Sequence, residues 1–323
     1  MKGKNWLTAA TILILAGLCI CVTAYKFFGF DFSGPTKGKN GNNGGLVTNT
    51  YEVKKDFRDI DIDGSVEDIT FLSAKDGKCT VECLEFESQL HNVRVEGSTL
   101  KIDAKDDRSW SFGIVTGTPK ITVYLPDEDY GELEIDTDTG NVAIPEDFTF
   151  ESIDAESDTG DFDCAAPEVD KLAFETDTGD TTVSGLKAKE IRLKAHTGRI
   201  EVTDVKCSGD VTVDVSTGKA KLEDVTCRNF NSEASTGDLV MKNVIAKDTF
   251  TIERTTGDVS FDGCDAETIY VTADTGDVTG TLLSDKVFLT DTDTGKVDTP
   301  KSITGGRCEI TTDTGDIKLD VKK

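Results

Sequence analysis

Apolar and polar residues alternate with period two along nearly the whole chain after residue 51, in short runs punctuated by glycine. Runs such as Leu133-x-Ile135-x-Thr137-x-Thr139 and Leu172-x-Phe174-x-Thr176-x-Thr178 end at a Thr-Gly pair. Alternation resumes beyond the glycine, as in Val142-x-Ile144, Ile200-x-Val202 and Val259-x-Phe261. Such a pattern on both sides of a glycine predicts strand, corner, strand. The glycine of this pair recurs at 140, 160, 179, 198, 218, 237, 257, 276, 295 and 315, spaced 19 or 20 residues apart. A fixed period of that length is the mark of a stacked repeat. The fold class expected is all-β: a right-handed parallel β-solenoid of about ten coils of 19–20 residues, with rungs about 4.8 Å apart.

The parity assigns roles. A third apolar position (Leu186, Val205, Val225, Val244, Cys264, Leu283) closes each coil. The threonine before each glycine falls on the phase of the apolar residues, so it is expected to face inward and hydrogen-bond the corner backbone. The glycine is expected to hold a positive φ. Acidic residues take the outward phase: Asp138, Asp158, Asp177, Asp274, Asp293 and Asp313 before the threonine, and Asp161, Asp180, Asp238, Asp258, Asp277 and Asp316 after the glycine. Cys207 and Cys227 each lie nine residues past a glycine, in one column with Ala188, Ala246 and Ala266.

Residues 51–127 alternate without the Thr-Gly signature, so they are expected to form an irregular N-terminal β cap, with the repeat solenoid over 128–323. Lys318, Lys322 and Lys323 are expected to charge the last edge strand against end-to-end stacking. Ahead of the cap, Asn5 to Tyr25 are 21 residues without a charge, flanked by Lys2 and Lys4. That length spans a bilayer as a helix, and the flanking charges keep residues 1–4 in the cytoplasm. The alternative is cleavage after Val22-Thr23-Ala24. Residues 26–50, rich in glycine and asparagine, are expected to be a tether. The implied location is a single-pass cell-membrane protein whose C-terminal part is extracytoplasmic.

Charge narrows the partners. The chain holds 35 basic and 61 acidic residues, a net of −26, and five of the basic but only one of the acidic residues precede residue 51. So acidic a surface repels phosphate backbones and excludes nucleic acid. Of nine cysteines, Cys19 and Cys21 lie in the apolar segment, and the others show no CxxC or Cys/His cluster. They are expected to be small buried apolar side chains.

No catalytic, cofactor-binding or metal-ligating residue can be assigned. Coil lengths of 19 and 20 leave no insertion to build the carboxylate cleft of a polysaccharide-cleaving β-helix. His91 falls in the cap, and His196 replaces the pre-threonine Asp in one coil. Calcium between stacked carboxylates is a second possibility, weakened by Arg199, Lys219, His196, Ser216, Ser235 and Thr255 in the columns. Thr137-Asp-Thr139 has the spelling of an ice-binding ladder but the inward phase. The remaining function is a non-catalytic binding or scaffold module, with an envelope protein or polymer as partner and weak divalent cation binding as a further option.

Ile121-Thr-Val-Tyr-Leu-Pro126 leading into Leu133-Glu-Ile-Asp-Thr-Asp-Thr-Gly-Asn-Val142, then the iterated Thr-Gly-Asp corners, resembles the bacterial "putative adhesin" or toastrack family. The resemblance covers roughly residues 51–323. It implies an exported or membrane-anchored β-solenoid, in some members tied to envelope stress systems, and it brings no established catalytic residues.

Overall fold

The computed structural model describes residues 46–87, 89–104 and 117–322. The expected membrane segment and most of the tether lie outside them. Among the described residues no helix is long and apolar enough to cross a membrane.

The described chain is all β and joins into one hydrogen-bonded sheet of twenty-four strands. Its first part holds β1 (Leu46–Glu52), β2 (Asp59–Gly64), β3 (Asp68–Ser73), β4 (Thr80–Phe86), β5 (His91–Glu96), β6 (Thr99–Ala104) and β7 (Lys120–Leu125). The regular coils then run through β8 (Asp129–Thr139), β9 (Val142–Ile144), β10 (Thr149–Thr159), β11 (Phe162–Cys164), β12 (Glu168–Thr178), β13 (Thr181–Ser184), β14 (Lys187–Cys207), β15 (Asp210–Thr236), β16 (Leu239–Lys242), β17 (Ile245–Thr256), β18 (Val259–Cys264), β19 (Thr268–Thr275) and β20 (Val278–Leu282). The last four are β21 (Lys286–Thr294), β22 (Val297–Asp298), β23 (Gly306–Thr314) and β24 (Ile317–Val321).

Each coil pairs in parallel with the next, residue for residue: Leu133 with Ile153, Ile153 with Leu172, Leu172 with Ile191, Ile191 with Val211. The stacked columns make a continuous interior with large aromatics, where Phe162 and Phe174 stack at 4.2 Å. Each such ring contributes about 1.5–3 kcal/mol by leaving water.

Four expectations need correction. First, the threonine before each glycine is exposed, and the residue two earlier is the one that turns inward: Thr137, Ser157 and Thr176 are buried while Thr139, Thr159 and Thr178 are not. Period two fails at the corner because the glycine backbone reorients the strand. Among the described residues, backbone bonding by the inner hydroxyl is confined to the last coils, where Thr292 Oγ1 donates to Gly315 O at 3.0 Å and Thr312 Oγ1 to Gly276 O at 3.3 Å, while the hydroxyls of Thr137, Ser157 and Thr176 have no partner. Second, Leu283 is exposed, and Leu282 takes its place opposite Cys264 through a register shift.

Third, residues 51–127 are more regular than a cap. β2 with β3, and β6 with β7, form two further parallel rungs stacked below the Gly140 coil. Only β1, β4 and β5 are antiparallel, and they cover the outer edges: β5 pairs with β6, β4 with β7, and β1 with β4. β1 starts at Leu46, inside the span expected to be tether.

Fourth, spatial order departs from chain order at both ends. β2, earlier in the chain, lies between β6 and β8. At the other end β23 pairs with both β19 and β21, and β24 with both β20 and β22. The Gly315 coil is thus inserted between the Gly276 and Gly295 coils. Lys318 and Lys322 therefore lie on an internal strand or just past it, and the true edge is β21 with β22.

Candidate functional site

The aspartate after each glycine has a structural role that its outward phase conceals. Asn141 Oδ1 accepts the backbone N–H of Asp161 at 2.9 Å, Asp161 that of Asp180 at 2.8 Å, and Asp180 that of Arg199 at 2.8 Å. The ladder resumes where Asp238 accepts from Asp258 at 3.2 Å and Asp258 from Asp277 at 2.8 Å, and Asp316 accepts from Lys296 at 2.8 Å. Arg199 and Lys219 interrupt it. There the strands run through the corner, pairing Gly198 with Gly218 and Arg199 with Lys219. A cation bound along this column would compete with these amides for the Oδ1 atoms.

The face before the turn is the more open surface. Glu156, Glu175, Lys194, Asp214, Glu233 and Glu253 fall in one outward column across β10 to β17. Two shallow grooves share Lys194 and Asp214. One, of 640 Å³, is lined by Glu156, Lys171, Glu175 and Arg192 among others. The other, of 370 Å³, is lined by Ser216, Glu233, Ser235, Glu253, Arg254 and Thr255 among others. The second groove lies where Ser216, Ser235 and Thr255 replace the pre-threonine aspartates, so smaller hydroxyl side chains open the surface.

Arg254 occupies an inward position there and is 4 % exposed. Its Nη2 donates to Ser232 Oγ at 2.8 Å and its Nη1 to the carbonyl of Glu253 at 2.8 Å, while Nε has no partner. Ser232 in turn donates to the carbonyl of Val213. Burial pulls the guanidinium down to about 10, against the opposing pull of Asp214 and Glu233. Burial likewise pushes the Asp214 carboxyl up.

A second polar cluster sits in the N-terminal rungs, fully enclosed. His91 Nδ1 lies 2.6 Å from Glu85 Oε2, and His91 Nε2 lies 3.5 Å from Glu67 Oε1; all three residues are at most 2 % exposed. Glu85 also accepts from Asn49 Nδ2, Tyr51 Oη and the His91 amide, and Glu67 from the amides of Ser65 and Val66. With Cys83 alongside, the donor atoms of Cys83, Glu85 and His91 lie within 4.8 Å of one another. The carboxylates and imidazole are turned upon each other and the backbone, which is the geometry of a satisfied core network. Sequence spacing gave no sign of it, because the contributors sit on separate elements.

His196 pairs with Asp177 at 2.8 Å on the exposed corner. The seven described cysteines are free and buried, and Cys227 stacks on Ala246 in the expected column.

The Toastrack DUF4097 family model matches residues 57–214 and 206–323. The chain belongs to this family. No curated protein matches it in sequence. Among solved structures, a putative adhesin from Bacteroides fragilis NCTC 9343 is 20 % identical with a TM-score of 0.39, the match covering 85 % of this chain and 97 % of that one. A putative adhesin from Parabacteroides distasonis ATCC 8503 is 15 % identical, TM-score 0.45, over 86 % and 98 %. A putative lipid binding protein from the same organism is 14 % identical, TM-score 0.43, over 84 % and 96 %.

Proposed function

We propose that this Toastrack chain is a non-catalytic binding module of the cell envelope, anchored by residues 5–25 and carrying its ligand in the groove lined by Asp214, Ser216, Ser235 and Arg254. Arg254 carries the proposal. Ala234 and Ala273 hold the same column in the neighbouring coils, so packing alone does not require an arginine there. A buried cation without a carboxylate in contact costs stability, and its place beneath an acidic, hydroxyl-bearing groove fits binding. The groove is lined by residues of successive strands, Asp214, Glu233 and Glu253 among them. That chemistry suits an extended polymer or protein segment bearing hydroxyls and amines, and it disfavours phosphate-rich polymers.

The test is co-sedimentation of the purified chain with isolated cell-wall fractions, comparing wild type with Asp214→Asn plus Glu253→Gln. Capture lost in the double variant supports the assignment, and equal capture refutes it. Anchoring is checked on protein extracted from membranes: peptide mapping recovers Trp6–Tyr25 if the segment is retained, whereas a mature N-terminus at Tyr25 shows cleavage.

A further inference from the structure

The two ends of the solenoid are finished differently. At the N-terminal end the outermost rung, β6 with β7, is covered by antiparallel β5 and β4. At the C-terminal end β21 pairs only with β23 and β22 only with β24, so among the described residues no strand pairs with their outer edges. Unpaired edges are a template for another chain, and proteins that avoid this use charge, proline, bulges or cover. Charge guards only part of this edge: Asp291 and Asp293 are exposed in its second half, whereas Lys286 in its first half is 2 % exposed and turned back onto Asp265 at 2.7 Å. β21 has no proline and pairs in unbroken register.

The apolar surface is gathered at the same end. Seven large hydrophobic residues are exposed among the described residues, and three of them, Leu289, Val297 and Ile303, lie in or beside this last rung. Val297 stands in the column that elsewhere is core, since it pairs with fully buried Ile317. Concentrated apolar exposure marks an interaction surface.

The strand sequence selects the partner. β21 reads Lys-Val-Phe-Leu-Thr-Asp-Thr-Asp-Thr, with its apolar residues before Thr290 and its acids after. Parallel in-register pairing would oppose Asp291 to Asp291 and Asp293 to Asp293. Antiparallel pairing of two copies about Thr290 instead opposes Asp291 to Leu289, Asp293 to Val287 and Phe288 to Thr292. It sets no acid against an acid and keeps each side chain on its own face. A contact of this edge with itself about a two-fold axis is isologous, so it closes rather than growing a filament.

We infer that two copies of the chain join tail to tail, with β21 of one pairing antiparallel with β21 of the other about a two-fold axis through Thr290.

The test uses the full chain in detergent, followed by native mass spectrometry and sedimentation at rising concentration. The expected result is a concentration-dependent dimer whose dissociation constant rises at least tenfold in Leu289→Asp, with an unchanged melting curve because that side chain is exposed. Thr290→Cys should give a covalent dimer under mild oxidant well above the wild-type background, while Lys54→Cys at the capped end should not. A wild-type monomer at tens of micromolar, a dimer unaffected by Leu289→Asp, or Thr290→Cys cross-linking no better than wild type would each overturn the inference.

Discussion

Asp277 Oδ1 accepts the backbone N–H of Asp316 at 2.7 Å, across 39 residues of chain, whereas Asp161 reaches Asp180 across 19. The same side-chain-to-amide bond thus joins sequence neighbours in the middle of the solenoid and skips a coil at its end. The post-glycine aspartate is a splice between adjacent coils, whichever coil that is.

This role separates Asp from Asn and Ala. Asn141 already performs it. Asp180→Asn should therefore leave the urea midpoint nearly unchanged, while Asp180→Ala should lose about 1 kcal/mol, the net worth of one hydrogen bond. Equal losses in both variants would show that the carboxylate charge, not its acceptor oxygen, is what matters.

The corner glycines are more demanding than a positive φ alone implies. Gly198 has φ +150°, and a Cβ there would sit 1.9 Å from the carbonyl oxygen of Gly179. Rigid backbone cannot yield to that contact. Gly198→Ala should cost at least about 3 kcal/mol, combining backbone strain with forced separation of two rungs. Gly185, at φ +68° with open space around it, isolates the dihedral cost, so Gly185→Ala should lose only about 1 kcal/mol. Thermal melts of the two variants side by side check this ordering.

The solenoid was legible because every coil repeats the same local demands, alternation and then Thr-Gly, and ten repetitions leave one interpretation. The coil order at the end was not. Thr292-Asp-Thr-Gly295 and Thr312-Asp-Thr-Gly315 are spelled alike, so the pattern cannot say which of them stacks on Gly276. The side of the pre-glycine threonine is not legible from parity, because parity counting assumes an unbroken pleat and the glycine corner breaks it. The groove is half legible: Ser216, Ser235 and Thr255 read as gaps in an acidic column, and nothing in the pattern marks them as its opening. Arg254, on an apolar phase, was the overlooked signal.

The buried thiols make a test of enclosure. Burial pushes Cys79, Cys83, Cys227 and Cys308 up to about 12, and Cys164 and Cys264 up to about 11, from an ordinary value of 9.0. A thiol held neutral by folding contributes stability below the unfolded value, and loses it as pH climbs from 9 through the folded value. Unfolding midpoints should fall above pH 9. At pH 8 a thiol reagent should modify none of the seven described cysteines until the chain is unfolded. Intact mass should be the same with and without reductant, which would also show Cys207 and Cys227 unbridged.

The Glu67–His91–Glu85 network predicts an asymmetry between its members. Removing the ring in His91→Leu leaves two buried carboxylates facing each other and should cost about 3–5 kcal/mol. Glu67→Gln keeps an acceptor for the Ser65 and Val66 amides and removes one buried charge, so it should cost far less. Urea midpoints decide this. Comparable losses would place the contribution in packing rather than in charge.

Arg254 is where stability and binding should part company. Burial pulls its guanidinium down to about 10, so the folded chain holds that proton less tightly than the unfolded chain does. For a base with a lowered value the penalty is fully present below pH 10 and is relieved only as pH rises beyond it. At neutral pH it amounts to about 3 kcal/mol at most. Because the thiols lose stability over part of the same alkaline range, a pH titration mixes the two effects, and substitution at pH 7 separates them. Arg254→Met puts a flexible apolar side chain in the column held by Ala234 and Ala273, and should raise stability by about 1–3 kcal/mol. Ser232 keeps its bond to the Val213 carbonyl, so no new unsatisfied group is created there. If the groove binds as proposed, the same variant should capture less cell-wall material while melting higher, the trade-off expected of a residue kept for function. A variant that melts lower and binds as well as wild type would make Arg254 a structural residue and remove the main support for the groove.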